Sequence, residues 1–88
     1  MSNKITKEEF LAKYGDVEVA FSSYHKYSFT YTGETEDGVI VAVDYGGNPS
    51  EIYRHSVIAG AKEKINSLYP YAGSVIVDGE IVESFYDY

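Results

Sequence analysis

The stretch that decides the fold is Ser74–Glu83, SVIVDGEIVE, in a chain of 88 residues. Two short runs of β-branched residues flank the dipeptide Asp78-Gly79. An Asp-Gly pair between apolar runs is the strongest short-range signal for a β-hairpin. The sequence therefore predicts a hairpin near the carboxyl terminus, whose second strand continues through Glu83 to Tyr86.

A short helix is predicted near the amino terminus. Thr6 can accept a hydrogen bond from the backbone of Glu9, and the Glu9 side chain can reach back, which is the capping-box arrangement. Ile5 and Phe10 occupy the two positions of a hydrophobic staple. Gly15 is expected to end the helix in a left-handed conformation. The residues expected to face the core are Phe10, Leu11 and Tyr14.

Three strands are predicted between this helix and residue 45. Apolar and polar side chains alternate over 17–21 and 27–32, which is typical of strands. Residues 22–26 are expected to form either a turn or a bulge between these two strands. Gly33–Gly38, GETEDG, is an acidic loop. The near-continuous apolar run over 39–45 predicts a central strand that is covered on both faces.

Residues 48–68 leave two alternatives. Asn48, Pro49 and Glu51 are typical of a helix start, and apolar residues then recur every three or four positions. In the other interpretation 46–48 form a hairpin turn, 51–57 form a fourth strand, and a helix begins near Ala59. Residues 49–58 are therefore helix or strand, whereas both interpretations make 61–68 helical and end the helix before Pro70.

Together these elements predict a single α+β domain over residues 1–88, in the order α-β-β-β-α-β-β. The sheet is expected to be mostly antiparallel, with about five strands and two helices. There is no cysteine, so no disulfide framework or thiolate metal site can form. The amino-terminal residues lack the apolar region of a secretory signal, and the longest apolar run, Val39–Val43, is far short of a membrane span. A cytoplasmic location without membrane association is expected.

The chain is acidic, with fourteen Asp and Glu against seven Lys and Arg, and its charge is unevenly placed. Residues 16–53 sum to −6 and residues 65–88 to −4, with no Lys or Arg after Lys64. Direct binding to nucleic acid is not expected, because its energy comes from lysine and arginine releasing counterions. A basic protein partner is expected, since a surface of one sign steers such partners.

No motif indicates catalysis, a cofactor or a metal ion. The only histidines, His25 and His55, lack the spacing of a zinc site on a helix. The glycine pairs match no phosphate-binding pattern, no serine lies in a nucleophile elbow, and the GETEDG loop does not match a calcium-binding loop. We expect a protein that is not an enzyme and that needs no cofactor. A small enzyme or metal-binding domain built on His25 or His55 is the alternative.

Acidic residues and ten tyrosines are the remaining signal. A carboxylate accepts hydrogen bonds from arginine in a geometry that resembles phosphate, and tyrosine adds stiff contact area. The same acidic residues also have a purely structural explanation, because charge on a terminal edge strand discourages aggregation. The tyrosines expected in the core are Tyr14, Tyr27, Tyr31 and Tyr53, and those expected at the surface are Tyr24, Tyr45, Tyr71, Tyr86 and Tyr88.

In composition, this small, acidic, cysteine-free α+β chain resembles inhibitors that phages and mobile elements encode, including DNA-mimicking anti-CRISPR and anti-restriction proteins. The resemblance implies an acidic face that blocks a nucleic-acid-binding site on a basic partner. The residues expected to bind this partner are Glu34, Glu36, Asp37, Asp44, Asp78, Glu80, Glu83, Tyr86, Asp87 and Tyr88. The alternative function is a structural or regulatory interaction domain, monomeric or homodimeric, that pairs through a sheet edge without an inhibitory role.

Overall fold

A computed structural model describes residues 3–25, 27–47 and 62–87. Within these ranges the chain forms seven strands and two helices. In chain order they are β1 (Asn3–Lys4), α1 (Lys7–Tyr14), β2 (Glu18–His25), β3 (Ser28–Glu34), β4 (Ile40–Gly46), β5 (Lys62–Lys64), α2 (Ile65–Leu68), β6 (Ala72–Val77) and β7 (Glu80–Tyr86).

The strands form one mixed sheet in the order β1-β7-β6-β4-β3-β2-β5. The short β1 runs parallel to β7, and the other neighbouring pairs are antiparallel. The α+β class and the mostly antiparallel sheet are thereby confirmed. The predicted count of about five strands was wrong, because β1 and β5 add one short strand at each edge. The sequence gives β1 only two residues and β5 only three, too few for a period-two pattern to be visible.

The predicted helix over 61–68 was wrong in its first half. Lys62–Lys64 forms β5 on the outer edge of β2, with Lys64 opposite Glu18. Opposite charges across a strand pair stabilise it, and pairing with a waiting strand edge overrides weak local helix propensity. The helix is limited to Ile65–Leu68, and Tyr69 ends it in a left-handed conformation before Pro70. The two alternatives for residues 49–58 lie outside the described residues.

The hairpin predicted at Asp78-Gly79 is confirmed. Both residues have positive φ angles, 51° and 80°, and Val77 pairs with Glu80 across the turn. This is the type I′ geometry whose twist matches that of the flanking strands. The register then shifts by one residue opposite Val75 and Ile76, which leaves Val82 as a bulge.

The helix α1 begins as predicted, with the complete capping box. The Glu9 amide donates to Thr6 Oγ1 over 3.0 Å, and the Thr6 amide donates to Glu9 Oε1 over 3.1 Å. The left-handed conformation predicted for Gly15 was wrong, because its φ of −58° is helical. A side chain at this position would meet the Leu11 carbonyl and the Asn66 side chain, so close packing rather than backbone conformation favours glycine here.

The core lies on one face of the sheet. Phe10 of α1 packs against Phe85 and Tyr14, with ring centroids 4.7 Å and 5.3 Å apart. The buried apolar residues of this core are Phe10, Val19, Phe29, Tyr31, Val41, Val43, Ile65, Leu68, Val75 and Phe85. Leu11 and Tyr14 pack against this core as predicted.

The second face of the sheet, called the outer face, carries the alternate residues of each strand. On the central strand β4, Val41 and Val43 are buried in the core, whereas Ile40, Ala42 and Asp44 on the outer face are half-buried. The prediction that β4 is covered on both faces was therefore wrong, because burial alternates along its apolar run as it does in an antiparallel strand with one partly exposed face.

Of the two alternatives for residues 22–26, the bulge is correct. The register between β2 and β3 shifts between Phe21 and Ser23, and β2 then continues to His25. His25 pairs with Ser28, so the chain reverses after the bulge rather than at it.

Candidate functional site

Strand order brings five of the predicted acidic residues to one end of the sheet. β4 and β6 are antiparallel neighbours with Ile40 opposite Ile76, so the β3–β4 connection and the β6–β7 turn leave the sheet side by side. Asp16 and Glu18, which the sequence interpretation did not select, lie beside Glu34 and Glu36 around one groove. The acidic end is defined as Asp16, Glu18, Glu34, Glu36, Asp37, Asp78 and Glu80.

All seven side chains of the acidic end are exposed. The ion pairs between described residues, Lys7 with Asp87 and Lys13 with Glu83, involve none of them. With strands about 4.8 Å apart, the acidic end spans roughly 19 Å from β7 to β2. Duplex DNA carries about eleven phosphates over that length, at one charge per 1.7 Å of axis. The seven carboxylates alone therefore amount to roughly 60% of the phosphate charge over that length, and counting Lys13, Lys62 and Lys64 beside them lowers the net charge to roughly one third of it.

The β3–β4 connection holds its carboxylates on an ordered turn. The Thr35 amide donates to the Val39 carbonyl over 2.9 Å, and the Gly38 amide donates to the Thr35 carbonyl over 3.0 Å. The Val39 amide donates to Thr35 Oγ1 over 3.1 Å. Glu36 and Asp37 are thus presented from a turn that is closed by three hydrogen bonds.

A groove of about 500 Å³ opens between the start of β2 and the end of β3. Carboxylates line it on both sides, with Asp16 and Glu18 on one and Glu34 and Glu36 on the other, and Lys13 and Lys62 also line it. Gly33 lets the two strands approach at its base, because an added Cβ would meet the Glu18 carbonyl and the Val19 side chain. The groove is thus lined by four carboxylates and two lysines.

Glu83 lies apart from the acidic end and is used within the chain. Lys13 Nζ donates to Glu83 Oε2 over 3.0 Å, and the Tyr14 hydroxyl donates to Glu83 Oε1 over 3.1 Å. The hydrogen bond from Lys13 lowers the pKa of Glu83, and the same bond raises the pKa of Lys13. Burial, helped by the bond to Glu83, raises the pKa of Tyr14. This carboxylate fastens α1 to β7.

Asp44, Tyr86 and Asp87 lie at the opposite end of the sheet. Asp44 and Tyr86 are both opposite Ala72, and Asp87 follows β7. Thr30 donates to Asp44 Oδ1 over 2.5 Å, and Lys7 Nζ lies 3.6 Å from Asp87 Oδ2. These two carboxylates therefore have partners within the chain. Tyr88, also predicted to bind the partner, lies outside the described residues.

The exposed tyrosines also cluster away from the acidic end. Tyr24, Tyr27 and Tyr86 are 55%, 65% and 63% exposed, and all three lie at the end of the sheet that carries Asp44. The core position predicted for Tyr27 was wrong, because this residue lies in the β2–β3 turn. The mixture of acidic and tyrosine residues in the sequence is thus separated by the fold into two ends about 20 Å apart, the length of a seven-residue strand.

The other tyrosine predictions are mixed. Tyr31 is buried as predicted, and Tyr45 and Tyr71 are only half-buried rather than exposed. The Tyr71 hydroxyl is hydrogen-bonded to Ser28 Oγ over 2.7 Å, and its ring meets that of Tyr86 edge to face at 6.0 Å. Tyr69 is the most exposed of the tyrosines that the structure describes, at 81%, and no sequence pattern indicated it. Tyr53 lies outside the described residues.

Among the described residues, no group of three or more His, Asp and Glu side chains is placed to hold a metal ion. His25 is exposed at the end of β2, and His55 lies outside the described ranges. Neither helix described above is long and apolar enough to cross a membrane. Comparison of the chain with family models, with curated proteins and with solved structures finds no match.

Proposed function

We propose that the acidic end binds a basic, nucleic-acid-binding protein and blocks the site where that protein contacts phosphates. The observation that carries this proposal is the convergence of seven exposed carboxylates on one end of the sheet. The sequence supplies the carboxylates, and the strand order supplies their proximity. The proposed role is inhibitory and electrostatic, and it needs no catalytic group.

Rigidity supports the proposal. Glu36 and Asp37 lie on a hydrogen-bonded turn. Asp78 is the first central residue of a tight type I′ turn, and Glu80 follows that turn. A partner therefore meets carboxylates whose backbone positions are already fixed, which reduces the entropy lost on binding. Arginine is the preferred counterpart, because its planar guanidinium forms two parallel hydrogen bonds with one carboxylate as it does with phosphate.

The edges of the sheet disfavour the alternative function. β1 has only two residues, and β5 has only three residues, which are all charged. Short, charged edge strands are a common protection against the addition of another strand. These two outermost strands therefore give less support to edge pairing than the acidic end gives to electrostatic binding, and residues 21–25 of β2, which β5 does not cover, are where edge pairing is tested.

The test compares two triple variants with the same change in charge. Glu36→Gln, Asp37→Asn and Glu80→Gln remove three of the seven charges of the acidic end. Glu8→Gln, in the first turn of α1, together with Asp44→Asn and Asp87→Asn removes three charges at the opposite end. Host proteins retained at 50 mM salt by the immobilised wild-type chain, but not by the acidic-end variant, are purified. Each is then loaded with fluorescent duplex DNA, and release of the DNA is followed by anisotropy.

The wild-type chain and the opposite-end variant are expected to release the DNA. The acidic-end variant is expected to require about tenfold higher concentration. Without DNA, binding of the retained proteins to the wild-type chain is expected to weaken by a similar factor when the salt is raised to 200 mM, since exposed charges are screened. The proposal fails if both variants behave alike, or if the retained proteins keep their DNA at every concentration of the wild-type chain.

A further inference from the structure

The outer face of the sheet is organised in rows that cross the strands. Ile40 pairs with Ile76, and Ile76 pairs with Ile81, so three isoleucines lie side by side on β4, β6 and β7. Ile81 is 48% exposed, and the other two are half-buried. This row is called the isoleucine ridge. On β3 the row continues as Glu34, which pairs with Ile40.

The next row consists of small side chains and crosses the whole sheet. Its members, from β2 to β7, are Ala20, Thr32, Ala42, Ser74 and Ser84, each paired with the next. Lys62 of β5 and Lys4 of β1 are the outermost neighbours of the row. This row is called the small-residue trough, because short side chains leave a depression beside the longer isoleucines.

The two rows are free of charge where they cross β4, β6 and β7, although the chain carries a net charge of −7. Partly exposed apolar side chains that are contiguous across three strands indicate an interaction surface. A ridge beside a parallel trough is self-complementary. Consider a two-fold axis that lies between two facing copies, parallel to the rows and midway between them. This axis places the isoleucine ridge of each copy over the small-residue trough of the other.

We propose that a second copy of this chain packs on the outer face, with each isoleucine ridge in the other copy's trough. Ile76 of one copy then lies over Ser74 of the other, as a two-fold interface requires. The same axis places Glu18 of one copy beside Lys62 of the other, since these residues occupy neighbouring strands. Shape and charge are thus complementary in one arrangement.

The size of the contact predicts a weak dimer. The contact crosses the six neighbouring strands from β7 to β5, which are spaced about 4.8 Å apart. Along the strands it takes in two rows, each about 6.8 Å wide, so it covers roughly 400 Å² of the outer face of each copy. A standard stable interface buries about 800 Å² on each partner. We therefore expect a dimer that forms reversibly, with a dissociation constant between about 50 μM and 1 mM.

Sedimentation equilibrium of the full chain between 20 μM and 1 mM tests the proposal. Ser74→Glu places a charge in the centre of the trough and is expected to abolish the dimer. Ser67→Glu makes the same change on α2, where Ser67 is exposed outside the outer face, and is expected to leave the dimer intact. Thermal unfolding followed by circular dichroism confirms that both variants are folded. A wild-type chain that is monomeric at 1 mM overturns the proposal, as does equal behaviour of the two variants.

The charge pair gives a second readout. Lys62→Glu is expected to weaken the dimer several-fold, and adding Glu18→Lys in the same chain is expected to restore it. Amide shifts on dilution of ¹⁵N-labelled protein are expected at Ile40, Ala42 and Ser74. Shifts confined to 21–25, on the edge of β2, would indicate strand pairing and overturn the face-to-face arrangement.

The proposed dimer covers Glu18 and Glu34, which also belong to the acidic end, but the two proposals can fail separately. Partner binding at the acidic end weakens with salt, whereas the dimer is expected to tolerate or gain from 300 mM salt, because salt screens the repulsion between two chains of charge −7. A monomeric chain that still releases DNA from a basic protein would remove the dimer alone.

Discussion

Neutralising the β6–β7 turn is expected to stabilise the fold, because the acidic end repels itself. The perturbation is the double variant Asp78→Asn and Glu80→Gln. Asparagine keeps the positive φ that residue 78 adopts, so the turn geometry is retained. The midpoints of the β6–β7 and β3–β4 connections are two strand spacings apart, or about 10 Å.

The magnitude follows from that distance. Two charges 10 Å apart in water repel by about 0.4 kcal/mol without salt, which falls to about 0.3 kcal/mol at 10 mM salt and about 0.1 kcal/mol at 150 mM. Six pairs join Asp78 and Glu80 to the carboxylates of Glu34, Glu36 and Asp37. The free energy of unfolding is therefore expected to rise by up to about 1.8 kcal/mol at 10 mM salt and about 0.7 kcal/mol at 150 mM.

Urea unfolding followed by circular dichroism at the two salt concentrations measures this difference, since urea is uncharged. Asp44→Asn with Asp87→Asn is the matched control. Both of these carboxylates have partners in Thr30 and Lys7, so their removal is expected to leave stability unchanged or to lower it. The reasoning that the acidic residues converge is refuted if the free energy of unfolding of the double variant does not rise at 10 mM salt. It is also refuted if that free energy rises equally at both salt concentrations.

Three further substitutions test how the site is held in place. Glu83→Gln is expected to cost about 1 kcal/mol at pH 7, by weakening the bonds from Lys13 and Tyr14. Because the hydrogen bond from Lys13 lowers the pKa of Glu83 in the fold, its contribution is present above the ordinary value of 4.5 and is lost as pH falls through the lowered pKa. The unfolding curves of the two proteins should therefore converge at acidic pH. Gly33→Ala is expected to cost about 1–3 kcal/mol by forcing β2 and β3 apart, and amide exchange in β2 should rise; an unchanged midpoint in urea would count against the close approach. Thr6→Ala is expected to cost about 1 kcal/mol through loss of the cap, which Thr6→Ser should largely restore.

Local signals in the sequence were sufficient for several elements. The capping box of Thr6 and Glu9 and the turn at Asp78-Gly79 depend on residues within four positions of one another, so they can be identified without tertiary structure. The alternation that defines β3 and β4 is local in the same way. These elements gave the correct fold class and most of the strands.

Elements that depend on distant neighbours could not be predicted. Lys62–Lys64 is a strand because β2 offers it an edge, and no property of three alternating charges shows that edge in advance. Gly15 was assigned a left-handed conformation, whereas its small size matters because Asn66 packs on it from fifty residues away. The alternation of Tyr27, Phe29 and Tyr31 predicts a core position for Tyr27, but β3 begins only at Ser28, so Tyr27 lies in the turn.

The candidate site shows the same division. The sequence identified most of the carboxylates at the acidic end, but only the adjacency of β4 and β6 shows that Glu36 and Asp78 lie at the same end. It also grouped Tyr86 and Asp87 with Glu80, because Tyr86 lies on the same strand and Asp87 directly follows it. A seven-residue strand separates its ends by about 20 Å, so neighbours in sequence become opposite poles of the sheet.

The most direct measurement is a titration of ¹⁵N-labelled protein with an octa-arginine peptide, followed by amide chemical shifts at 50 mM and 300 mM salt. The acidic end is expected to hold the largest shifts, at residues 16–18, 34–38 and 78–80, and these shifts should shrink at the higher salt concentration. Shifts that centre on Tyr24, Tyr27 and Tyr86, or that persist unchanged at 300 mM salt, would contradict the claim that the acidic end is the working surface.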